Sequence, residues 1–439
     1  MPKILFIQPT QRTKYGRLCK QRKLYLPGLV FPYLAAFTPD NWEVELIIEI
    51  IDKIDYESDA DVIGIGGMGH AMFRGVEIAK EFKKRNKTVI FGGYMASLFS
   101  EYVKPYADAI VKGDAEISFP LLLKDYENGT LKEIYDNPLM DMSNLPTPKY
   151  ELYSKKRIGN MLPVQAGRGC PFICKFCSIA SLYKGKYMPR DVEDVIRDIK
   201  RVKELGYKQF YLVDDNIIGN KAYFKELCKR MIPLKMKWLS QCSLHIAQDL
   251  ETLELARKSG CTTLSFGLES INQEGMVKVD KNWIKVKEYK ELLRRVSKIG
   301  ILVSSEMLFG LDGDTVESIK KTYDFVMDVQ IPLPKFYILT PIPGTNLFHE
   351  YKEQNRLLHE DYEKYTGTQC VHTIASIEKE ELDQMYEWFM NKLFTFRSIF
   401  RRTIFNRDFF KNPFKYLFAF GVNLVYRKYV KQGEMPNIF

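Results

Sequence analysis

The feature that most constrains the fold of this chain is a regular alternation of short apolar segments with amphipathic helical segments. In the first third, strands are expected at Ile4–Ile7, Trp42–Ile48, Asp61–Gly67 and Thr88–Gly93, and helices at Phe31–Phe37 and Ala71–Lys84. Strands that alternate with helices through short glycine-rich turns predict a doubly wound parallel sheet of the α/β class. Ligands of such sheets bind at the carboxyl ends of the strands, where glycines allow close approach to the backbone.

The same alternation repeats in the centre of the chain. Extended segments are expected at Met161–Ala166, Gln209–Val213, Lys237–Ser243, Thr262–Gly267, Leu302–Phe309 and Lys335–Thr340. Six strand–helix units predict a partial (β/α)6 barrel, an incomplete version of the TIM barrel, in which reactive groups gather at the carboxyl ends of the strands. The helix expected at Asp191–Leu205 has one apolar face, as packing on such a barrel requires.

Three cysteines follow the first of these central strands within eight residues. Cys170, Cys174 and Cys177 have Cys-x3-Cys-x2-Cys spacing on one short loop. Three thiolates placed in this way can each bind one iron of a cubane cluster, which leaves the fourth iron without a protein ligand. An open coordination position on a metal is a place where a substrate or cofactor binds.

A zinc knuckle or a chance grouping is the alternative interpretation of these cysteines. Zinc sites usually combine one close cysteine pair with a second cysteine or histidine pair further along the chain, and no such pair follows here. The remaining cysteines are scattered singly in apolar or amphipathic stretches and are interpreted as small buried hydrophobic residues: Cys19, Cys228, Cys242, Cys261 and Cys370.

The cysteine spacing, with Phe176 immediately before the last cysteine, resembles the signature of the radical S-adenosylmethionine (SAM) superfamily. The resemblance implies a [4Fe-4S] cluster whose open iron chelates the amino and carboxylate groups of SAM, with Phe176 close to that cofactor. It also implies that an electron from the reduced cluster cleaves SAM to methionine and a 5′-deoxyadenosyl radical. An electron donor such as a flavodoxin or ferredoxin follows from the same resemblance.

Further polar or glycine- and proline-containing motifs fall at the ends of the later central strands: Asp214, Asp215, Asn216, Glu269, Ser270, Gly310 and Pro341. The resemblance places residues 214–216 at the SAM amino group and residues 269–270 at its ribose. Gly310 and Pro341 would leave a backbone edge exposed for adenine. From the residues alone, an Asx turn that caps the next helix remains open for residues 214–216. Charge pairing at a helix amino terminus remains open for Glu269.

Several loops of the first third resemble the cobalamin-binding domain found ahead of many radical SAM domains. The resemblance implies that these residues surround the corrin ring and its nucleotide tail: Leu26, Pro27, Gly66, Gly67, Met68, Gly92, Gly93, Tyr94 and Glu116. The Asp-x-His-x-x-Gly motif of proteins that bind cobalt through histidine is absent, so a lower histidine ligand is not expected. His70 is interpreted as a helix-start residue bonded to backbone, with a ligand contact as the alternative.

Four regions are predicted along the chain. Residues 1–136 form the Rossmann-like, doubly wound domain of the cobalamin-binding type, and a proline-punctuated linker follows at 137–160. Residues 161–345 form the radical SAM core barrel, and residues 346–439 form a helical, basic and aromatic region. No apolar run reaches the length of a membrane span, and the segment from Met1 to Ile7 predicts a strand rather than a signal peptide.

The carboxyl-terminal region carries most of the formal net charge of +10. Residues 391–439 contain ten Lys or Arg against Asp408 and Glu434, and thirteen aromatic residues from Phe394 onward lie among them. Three interpretations remain open for this basic amphipathic segment: its aromatic residues pack on the barrel, it lies on an anionic membrane surface, or it stacks on RNA bases. Nucleic acid is the least favoured partner.

Together these features predict a cobalamin-dependent radical SAM enzyme, a class B methyltransferase-like protein that methylates an unactivated carbon of a small-molecule or lipid substrate. A cyclase or rearrangement enzyme of the same architecture is one alternative, and a non-catalytic iron–sulfur electron-transfer protein is another. The sequence identifies neither the substrate nor a catalytic residue beyond the cofactor contacts. Cysteines without disulfide-like spacing indicate a reducing cytoplasm, with peripheral membrane contact as a further expectation for the tail.

Overall fold

The computed structural model of the protein describes residues 1–13, 15–67, 69–136, 141–154 and 156–433. Met68 of the expected cobalamin loops, Asn137 and Pro138 of the expected linker, and Glu434 of the tail lie outside the described residues. Two parallel six-stranded sheets organise the rest, and a helical region follows the second sheet. The expected fold class, a doubly wound α/β domain followed by a partial barrel and a helical carboxyl-terminal region, is confirmed.

The first sheet has the strand order β2-β1-β3-β4-β5-β6, and all of its pairs are parallel. Its strands are Lys3–Gln8 (β1), Glu43–Ile48 (β2), Val62–Gly66 (β3), Thr88–Gly92 (β4), Ala109–Lys112 (β5) and Ile134–Asp136 (β6). Its helices are Val30–Phe37 (α1), Ala71–Lys83 (α2), Tyr94–Leu98 (α3), Ser100–Val103 (α4) and Ala115–Glu127 (α5). The strand order reverses between β1 and β3, and ligands of doubly wound sheets bind beside such a switch point.

Both faces of this sheet are apolar because helices cover both. Along β1, Ile4 and Phe6 face the core that contains α1 and α5, whereas Leu5 and Ile7 face the core that contains α2. Side chains alternate between the two faces of a strand, so a strand covered on both sides reads as a continuous apolar run. This is why the sequence shows short uninterrupted apolar segments here instead of an alternating polar pattern.

The second sheet has the order β7-β10-β11-β12-β13-β14 and is also parallel throughout. Its strands are Met161–Val164 (β7), Gln209–Leu212 (β10), Lys237–Gln241 (β11), Cys261–Glu269 (β12), Leu302–Phe309 (β13) and Leu333–Ile338 (β14). A short antiparallel pair, Gly167–Gly169 (β8) and Tyr187–Pro189 (β9), flanks the cysteine loop and was not expected from the sequence. Ladders within the described residues leave β7 and β14 unjoined, so the barrel is open between them.

Helices follow the barrel strands in the expected alternation: Ser178–Tyr183 (α6), Val192–Glu204 (α7), Lys221–Met231 (α8), Leu250–Lys258 (α9), Gln273–Lys278 (α10), Tyr289–Lys298 (α11), Val316–Val329 (α12) and Asn346–Glu353 (α13). Polar side chains fix where several of them begin. Asp191, Asn220 and Asp249 each accept a hydrogen bond from a backbone amide in the first turn of α7, α8 and α9. Such caps satisfy amides that have no partner within the helix.

Three helices cover the open edge of the barrel at β14. They are Lys379–Leu393 (α14), Phe396–Arg402 (α15) and Pro413–Lys431 (α16). The Tyr386 hydroxyl of α14 donates to the Phe336 carbonyl of β14 at 3.0 Å. On α16, Tyr416 and Ala419 are buried against Leu302 and Leu333, the first residues of β13 and β14. Part of the aromatic tail therefore packs on the barrel, which is the first of the three interpretations left open for it.

Within the described ranges, no helix is both long enough and apolar enough to cross a bilayer.

Candidate active site

A cavity of about 490 Å³ lies where the two domains meet, at the carboxyl ends of the barrel strands. The first domain contributes Gly69, His70, Phe73, Tyr94 and Met95 to its wall. The barrel contributes the cysteine loop and residues at the ends of β10 to β14, among them Asp215, Asn216, Gln241, Ser265, Glu269, Glu306, Leu308 and Tyr337. A concave, mainly apolar site with a few convergent polar groups is the usual form of a ligand pocket.

The cysteine loop forms one side of this cavity. Cys170, Cys174 and Cys177 all line it, and all three are free thiols. The Asn216 amide donates to Cys170 Sγ at 3.7 Å, so the end of β10 contacts the loop directly. The Cys177 thiol faces the backbone amides of Ile179 and Ala180 at the start of α6. Hydrogen bonds from amides to sulfur stabilise thiolates, and they tune iron–sulfur clusters.

Burial controls the acidity of the three thiols. Burial raises the pKa of Cys177 to about 11, although the neighbouring amides lower it, and burial also raises the pKa of Cys170 and Cys174. Thiols of this kind stay protonated at neutral pH until a metal displaces the proton, because metal coordination deprotonates a thiol.

The spacing of the thiols bears on the metal that they can hold. Among the described residues, no three His, Cys, Asp or Glu side chains converge closely enough to share one metal ion. A zinc knuckle needs such convergence, because all of its ligands bind the same ion. A cubane needs only one thiolate at each of three separate irons. Three free thiols that line one cavity provide one ligand for each of three irons, which is the donor set of a cubane bound at three corners.

Asp214 has a different position from Asp215 and Asn216, the two residues that follow it at the end of β10. Asp214 is buried behind the cavity wall, where its carboxylate accepts hydrogen bonds from the Ala166 amide at 2.8 Å and the Tyr187 hydroxyl at 3.2 Å. Asp215 and Asn216 line the cavity. Burial raises the pKa of Asp214 to about 7 and that of Asp215 to about 6. The Asp214 bonds hold β7 and β9 against β10, and a contact of Asp214 with the SAM amino group stays a prediction.

Asp215 and Asn216 also hold the cysteine loop in place. The Asp215 carboxylate accepts the Gly169 amide at 2.8 Å, immediately before the first cysteine. The Asn216 side chain bonds Cys170 through its amide nitrogen and accepts the Ser243 amide through its oxygen at 3.0 Å. The end of β10 therefore sets the position of the loop relative to β11.

Glu269 and Lys281 form a buried ion pair in the cavity wall. The backbone at Glu269 has φ 57°, in the left-handed region, at a register shift between β12 and β13. This conformation turns the carboxylate back over Gly267, where an added Cβ would lie 2.5 Å from Glu269 Oε1. Burial disfavours the charged form of Lys281, but the nearby Glu269 carboxylate and Cys174 outweigh burial and raise the pKa of Lys281. The ammonium group is therefore retained beside the cysteine loop.

Aromatic rings enclose the Lys281 ammonium group. Lys281 Nζ lies 5.2 Å from the centre of the Trp283 ring and 5.9 Å from that of Phe176. The Trp283 ring in turn stacks on Phe172 of the cysteine loop, with ring centres 3.9 Å apart and planes 9° apart. Cation–π attraction and stacking of this kind strengthen when water is excluded. Phe176, expected beside SAM, lines the same cavity.

Three further residues were expected at SAM, namely Ser270, Gly310 and Pro341. They are not part of the cavity wall that the described residues form. Ser270 is buried and its hydroxyl accepts the Asn272 amide at 3.0 Å. The Gly310 amide donates to Asp314 at 2.9 Å, and the Gly310 carbonyl lies 3.1 Å from His372 Nε2. Pro341 stands between Thr340 and Ile342, which do line the cavity. These three residues shape turns behind the site, and a direct contact with SAM stays a prediction.

In the first domain, the glycine ends of β3 and β4 lie side by side, because the register pairs Gly66 with Gly92. Gly93 has φ 98°, and a Cβ there would lie 3.1 Å from the Gly67 carbonyl, so glycine is required for this turn. Tyr94 follows and lines the cavity. Burial raises the pKa of Tyr94 to about 12, and the nearby Cys177 acts in the same direction.

Two residues expected at cobalamin, Pro27 and Glu116, make contacts between the domains. The Pro27 carbonyl accepts the hydroxyl of Tyr211 on β10, and the adjacent Leu26 is half-buried. Glu116 accepts a hydrogen bond from the Arg168 guanidinium at 2.6 Å, and Asp114 accepts another at 2.6 Å. Arg168 precedes the cysteine loop, so this buried cluster fixes the loop to the first domain.

His70 stands at the start of α2, as expected, and its side chain is bonded to backbone, but it makes no capping bond to that helix. Its Nε2 contacts the Glu363 carbonyl, which belongs to the segment that follows α13. This contact brings the first domain against Tyr362 and Tyr365, which also line the cavity. His70 itself contributes to the cavity wall, so a ligand contact through the rest of the ring stays open.

Several cavity residues were not found from the sequence. Lys281 and Trp283 follow α10 in an irregular segment with no recognisable spacing. Glu306 and Tyr337 lie inside β13 and β14 and point into the barrel, as strand alternation permits. A polar residue within an apolar barrel strand was the available signal for Glu306. Arg168 lay within the cysteine segment, but its acidic partners are more than fifty residues away in sequence.

Comparison with known proteins is consistent with this site. The radical SAM superfamily model matches residues 164–326. The chain is 31% identical over 392 residues to a bacteriochlorophyllide d C-8(2)-methyltransferase of Chlorobaculum tepidum, covering 85% of this chain and 86% of that protein. It is 29% identical to a bacteriochlorophyllide d C-12(1)-methyltransferase of the same organism, covering 70% and 69%.

Solved structures of related fold span both domains. The cobalamin-dependent radical SAM enzyme OxsB superposes with a TM-score of 0.70 at 15% identity, over 98% of this chain and 72% of that one. The radical SAM methyltransferase TsrM of Kitasatospora setae superposes with a TM-score of 0.65 at 17% identity, over 81% and 78%. The match to the first relative, over most of both chains, shows the family. This chain belongs to the radical SAM superfamily and is an enzyme of its methyltransferase-like branch, with a doubly wound α/β domain ahead of the barrel.

Proposed function

We propose that this protein is a cobalamin-dependent radical SAM C-methyltransferase that acts on an unactivated carbon. The observation that carries the proposal is that one cavity is lined by both domains. The barrel contributes the cysteine loop, and the first domain contributes Tyr94 at the start of α3. A methyl carrier in the first domain and a radical source in the barrel have to reach the same substrate. A shared cavity provides that arrangement.

This chain has residues that suit the cofactors of such an enzyme. Cys170, Cys174 and Cys177 would hold a [4Fe-4S] cluster at three irons. When bound, the cluster, SAM and cobalamin supply reductive cleavage of SAM, removal of a hydrogen atom from the substrate and delivery of a methyl group. The protein contributes binding, orientation and exclusion of water. An external electron donor and a small-molecule substrate complete the requirements of this family.

For SAM, the chain offers charges of both signs next to the cysteine loop. Asp215 and Asn216 present acceptors that suit an ammonium group, and the Glu269 carboxylate suits the two hydroxyls of a ribose. Lys281, held between Glu269 and the aromatic rings, presents a cation on the same wall. These groups would orient SAM over the open iron.

For cobalamin, the first domain offers a glycine-lined strand edge and no histidine ligand. The Gly66–Gly67 and Gly92–Gly93 turns remove side chains from the switch-point edge, so that a large planar group can approach the backbone. His70 is the only histidine in residues 1–136, and its Nε2 is already bonded to the Glu363 carbonyl. The proposal is therefore a corrinoid whose lower face is held without histidine.

The substrate we propose is an apolar small molecule or lipid. Much of the cavity wall is aromatic or aliphatic, with Phe73, Tyr94, Leu308, Tyr337 and Ile338 among its members. Two relatives of this chain are bacteriochlorophyllide d methyltransferases, so a small-molecule substrate has a precedent among them. A membrane would present this substrate, since the carboxyl-terminal region is rich in basic and aromatic residues.

The experiment that tests the proposal is anaerobic reconstitution of the full chain with iron, sulfide and hydroxocobalamin, followed by addition of SAM and dithionite. We expect the absorption bands of a bound corrinoid, and we expect 5′-deoxyadenosine to form. Replacing Cys177 by Ser should abolish 5′-deoxyadenosine, whereas the matched variant Cys19→Ser should retain it.

Each contrary outcome supports a different class of protein. A bound cluster without 5′-deoxyadenosine would overturn the proposal in favour of electron transfer. Formation of 5′-deoxyadenosine without any retained corrinoid would remove methyl transfer and favour cyclisation or rearrangement.

A further inference from the structure

The carboxyl-terminal helix α16 has a second apolar face that nothing in the described chain covers. Its first face, which includes Tyr416, Ala419 and Tyr426, is buried on the barrel. The opposite side carries exposed apolar residues at positions 414, 417, 418, 424 and 425, spaced by three and four residues. This spacing places them on one stripe of the helix. An amphipathic helix that rests on a core needs only the first face.

The stripe continues into the segment before the helix. Phe410 is 92% exposed, Phe414 is 85% exposed and Phe405 is 71% exposed. Phe410 contacts Phe409, which contacts Tyr416 near the start of α16. Phe405 contacts Phe400, which contacts Phe420 of the same helix, so both exposed rings lie beside α16. We define the tail patch as Phe405, Phe410, Phe414, Leu417, Phe418 and Val425. Scattered exposed apolar residues need no explanation, but a contiguous set of exposed phenylalanines marks an interaction surface.

The charges around the tail patch are almost all positive. Seven of the ten Lys and Arg residues in 391–433 are exposed, whereas Asp408 is the only acidic residue in that range. Asp408 is itself paired with Lys411 at 2.8 Å. Lys428 continues the exposed stripe one turn beyond Val425, and Lys411 is adjacent to Phe410. The patch therefore has cations at both ends.

We propose that the tail patch docks the protein on an anionic membrane surface. Phenylalanine and leucine side chains would enter the boundary between headgroups and acyl chains, and the flanking lysines would face anionic headgroups. A second copy of the chain fits less well, because two such patches placed face to face would bring like charges together. The inference concerns location and does not depend on the proposed methyl transfer.

The direction of α16 relates this surface to the cavity. Tyr416 near the start of the helix packs on the first residues of β13 and β14, and Tyr426 near its end lies beside Lys335 and Tyr337 further along β14. The helix therefore runs along the open edge of the barrel in the direction of the strands. A protein docked through this face would lie on its side, with the mouth of the barrel at one end of the patch.

The test is co-sedimentation of the full chain with vesicles of phosphatidylcholine and phosphatidylglycerol in equal parts, compared with phosphatidylcholine alone. We expect binding to the anionic vesicles and weaker binding to the neutral ones. The variant Phe410→Ser/Phe414→Ser should lower the partition coefficient at least about tenfold. The matched variant Leu121→Ser/Leu250→Ser, which removes exposed leucines from α5 and α9, should stay within about twofold of the parent.

A charge reversal separates apolar from electrostatic contributions. Lys411→Glu/Lys428→Glu should weaken binding to anionic vesicles at least about tenfold and leave neutral vesicles unaffected. Lys229→Glu/Lys287→Glu, at exposed positions on α8 and before α11, is the matched control. Far-UV circular dichroism and thermal unfolding of every variant check that the fold is kept, which the exposure of these side chains favours.

Three results would overturn the proposal. Absence of binding to both kinds of vesicle is the first. The second is salt-sensitive binding of single-stranded RNA, lost in the same variants, without vesicle binding. The third is a dimer in analytical ultracentrifugation that the phenylalanine variant converts to a monomer, again without vesicle binding.

Discussion

Lys281 and Glu269 show what a single buried charge can do in the cavity wall. Both side chains are buried, and each is the charged partner of the other. Breaking a buried pair by removing one member costs more than the pair itself contributes, because the other charge stays desolvated without a partner. The pair therefore serves as a sensitive test of the site at the scale of one residue.

Replacing Lys281 by Met should lower the free energy of unfolding by about 3–5 kcal/mol, since Glu269 would remain buried and unpaired. Chemical denaturation of the parent and the variant measures this difference. Lys225→Met, which removes a half-buried lysine from its partners Asp249 and Glu251 at the protein surface, is the control and should lower the free energy of unfolding by no more than about 1 kcal/mol. A small loss for Lys281→Met would show that Glu269 is not held as a carboxylate.

His372 gives the free energy of unfolding a predictable pH dependence. The ring is fully buried against Gly310 and Tyr351, and burial lowers the pKa of His372 to about 4. The unfolded chain binds a proton near pH 6.5, so between pH 6.5 and 4 the unfolded state holds more protons than the folded state. Stability contributed by neutral His372 is therefore present above pH 6.5 and is lost as the pH falls.

The measurement compares the parent with His372→Gln by denaturation at several pH values. Relative to the variant, the free energy of unfolding of the parent should fall by about 3 kcal/mol between pH 7 and pH 4. A difference that does not vary with pH would mean that His372 is protonated as readily in the folded chain as in the unfolded one.

At the scale of elements, the end of β10 and the hairpin of β8 and β9 position the cysteine loop. Arg168 lies in β8 and bonds Asp114 and Glu116 of the first domain, and Asp215 after β10 bonds Gly169. One carboxylate oxygen of Asp114 and one of Glu116 have no protein partner although both are buried. The guanidinium is therefore the main compensation for two carboxylates at the junction of the domains.

Replacing Arg168 by Met should cost about 3–5 kcal/mol of stability, because two buried carboxylates would lose their cation. It should also loosen the junction, so that unfolding followed by circular dichroism separates into two steps. The exposed pair of Arg201 with Glu151 offers a control, and Arg201→Met should leave the single transition unchanged. A single, undisplaced transition for Arg168→Met would contradict this account of the junction.

The same elements show how far the sequence could predict the structure. Apolar segments predicted β1, β3 and β4 within one or two residues, because a strand buried on both faces leaves an unbroken apolar run. Glycines marked the ends of β3 and β4. The hairpin of β8 and β9 was missed, since three-residue strands beside a cysteine loop have no periodic pattern.

The site was predicted where local spacing carries information and missed where contacts are long in range. The three cysteines and Asp215 were assigned from sequence and do line one cavity. Lys281 and Trp283 were not, because their partners Glu269 and Phe172 are brought to them only by the fold. Asp214 was assigned to SAM by position, whereas burial and two hydrogen bonds give it a place behind the wall.

At the scale of the whole molecule, two parallel sheets direct their strand ends toward one shared cavity. The first domain contributes the Tyr94 turn and the contact of His70 with the Glu363 carbonyl, and the barrel contributes the cysteine loop. The α16 helix runs along the open edge of the barrel and carries the tail patch on its outer side. The proposed reaction is thus assigned to the cavity and the proposed membrane contact to the tail patch, and separate variants can test each of them.

The central claim is that Cys170, Cys174 and Cys177 hold a cluster with one iron open to SAM. Electron paramagnetic resonance of the reduced, reconstituted protein, recorded with and without SAM, tests it most directly. We expect the signal of a [4Fe-4S] cluster whose g values shift when SAM is added, and the signal should disappear in Cys174→Ser but persist in Cys228→Ser. A signal that SAM leaves unchanged, or a cluster that survives in Cys174→Ser, would contradict the claim.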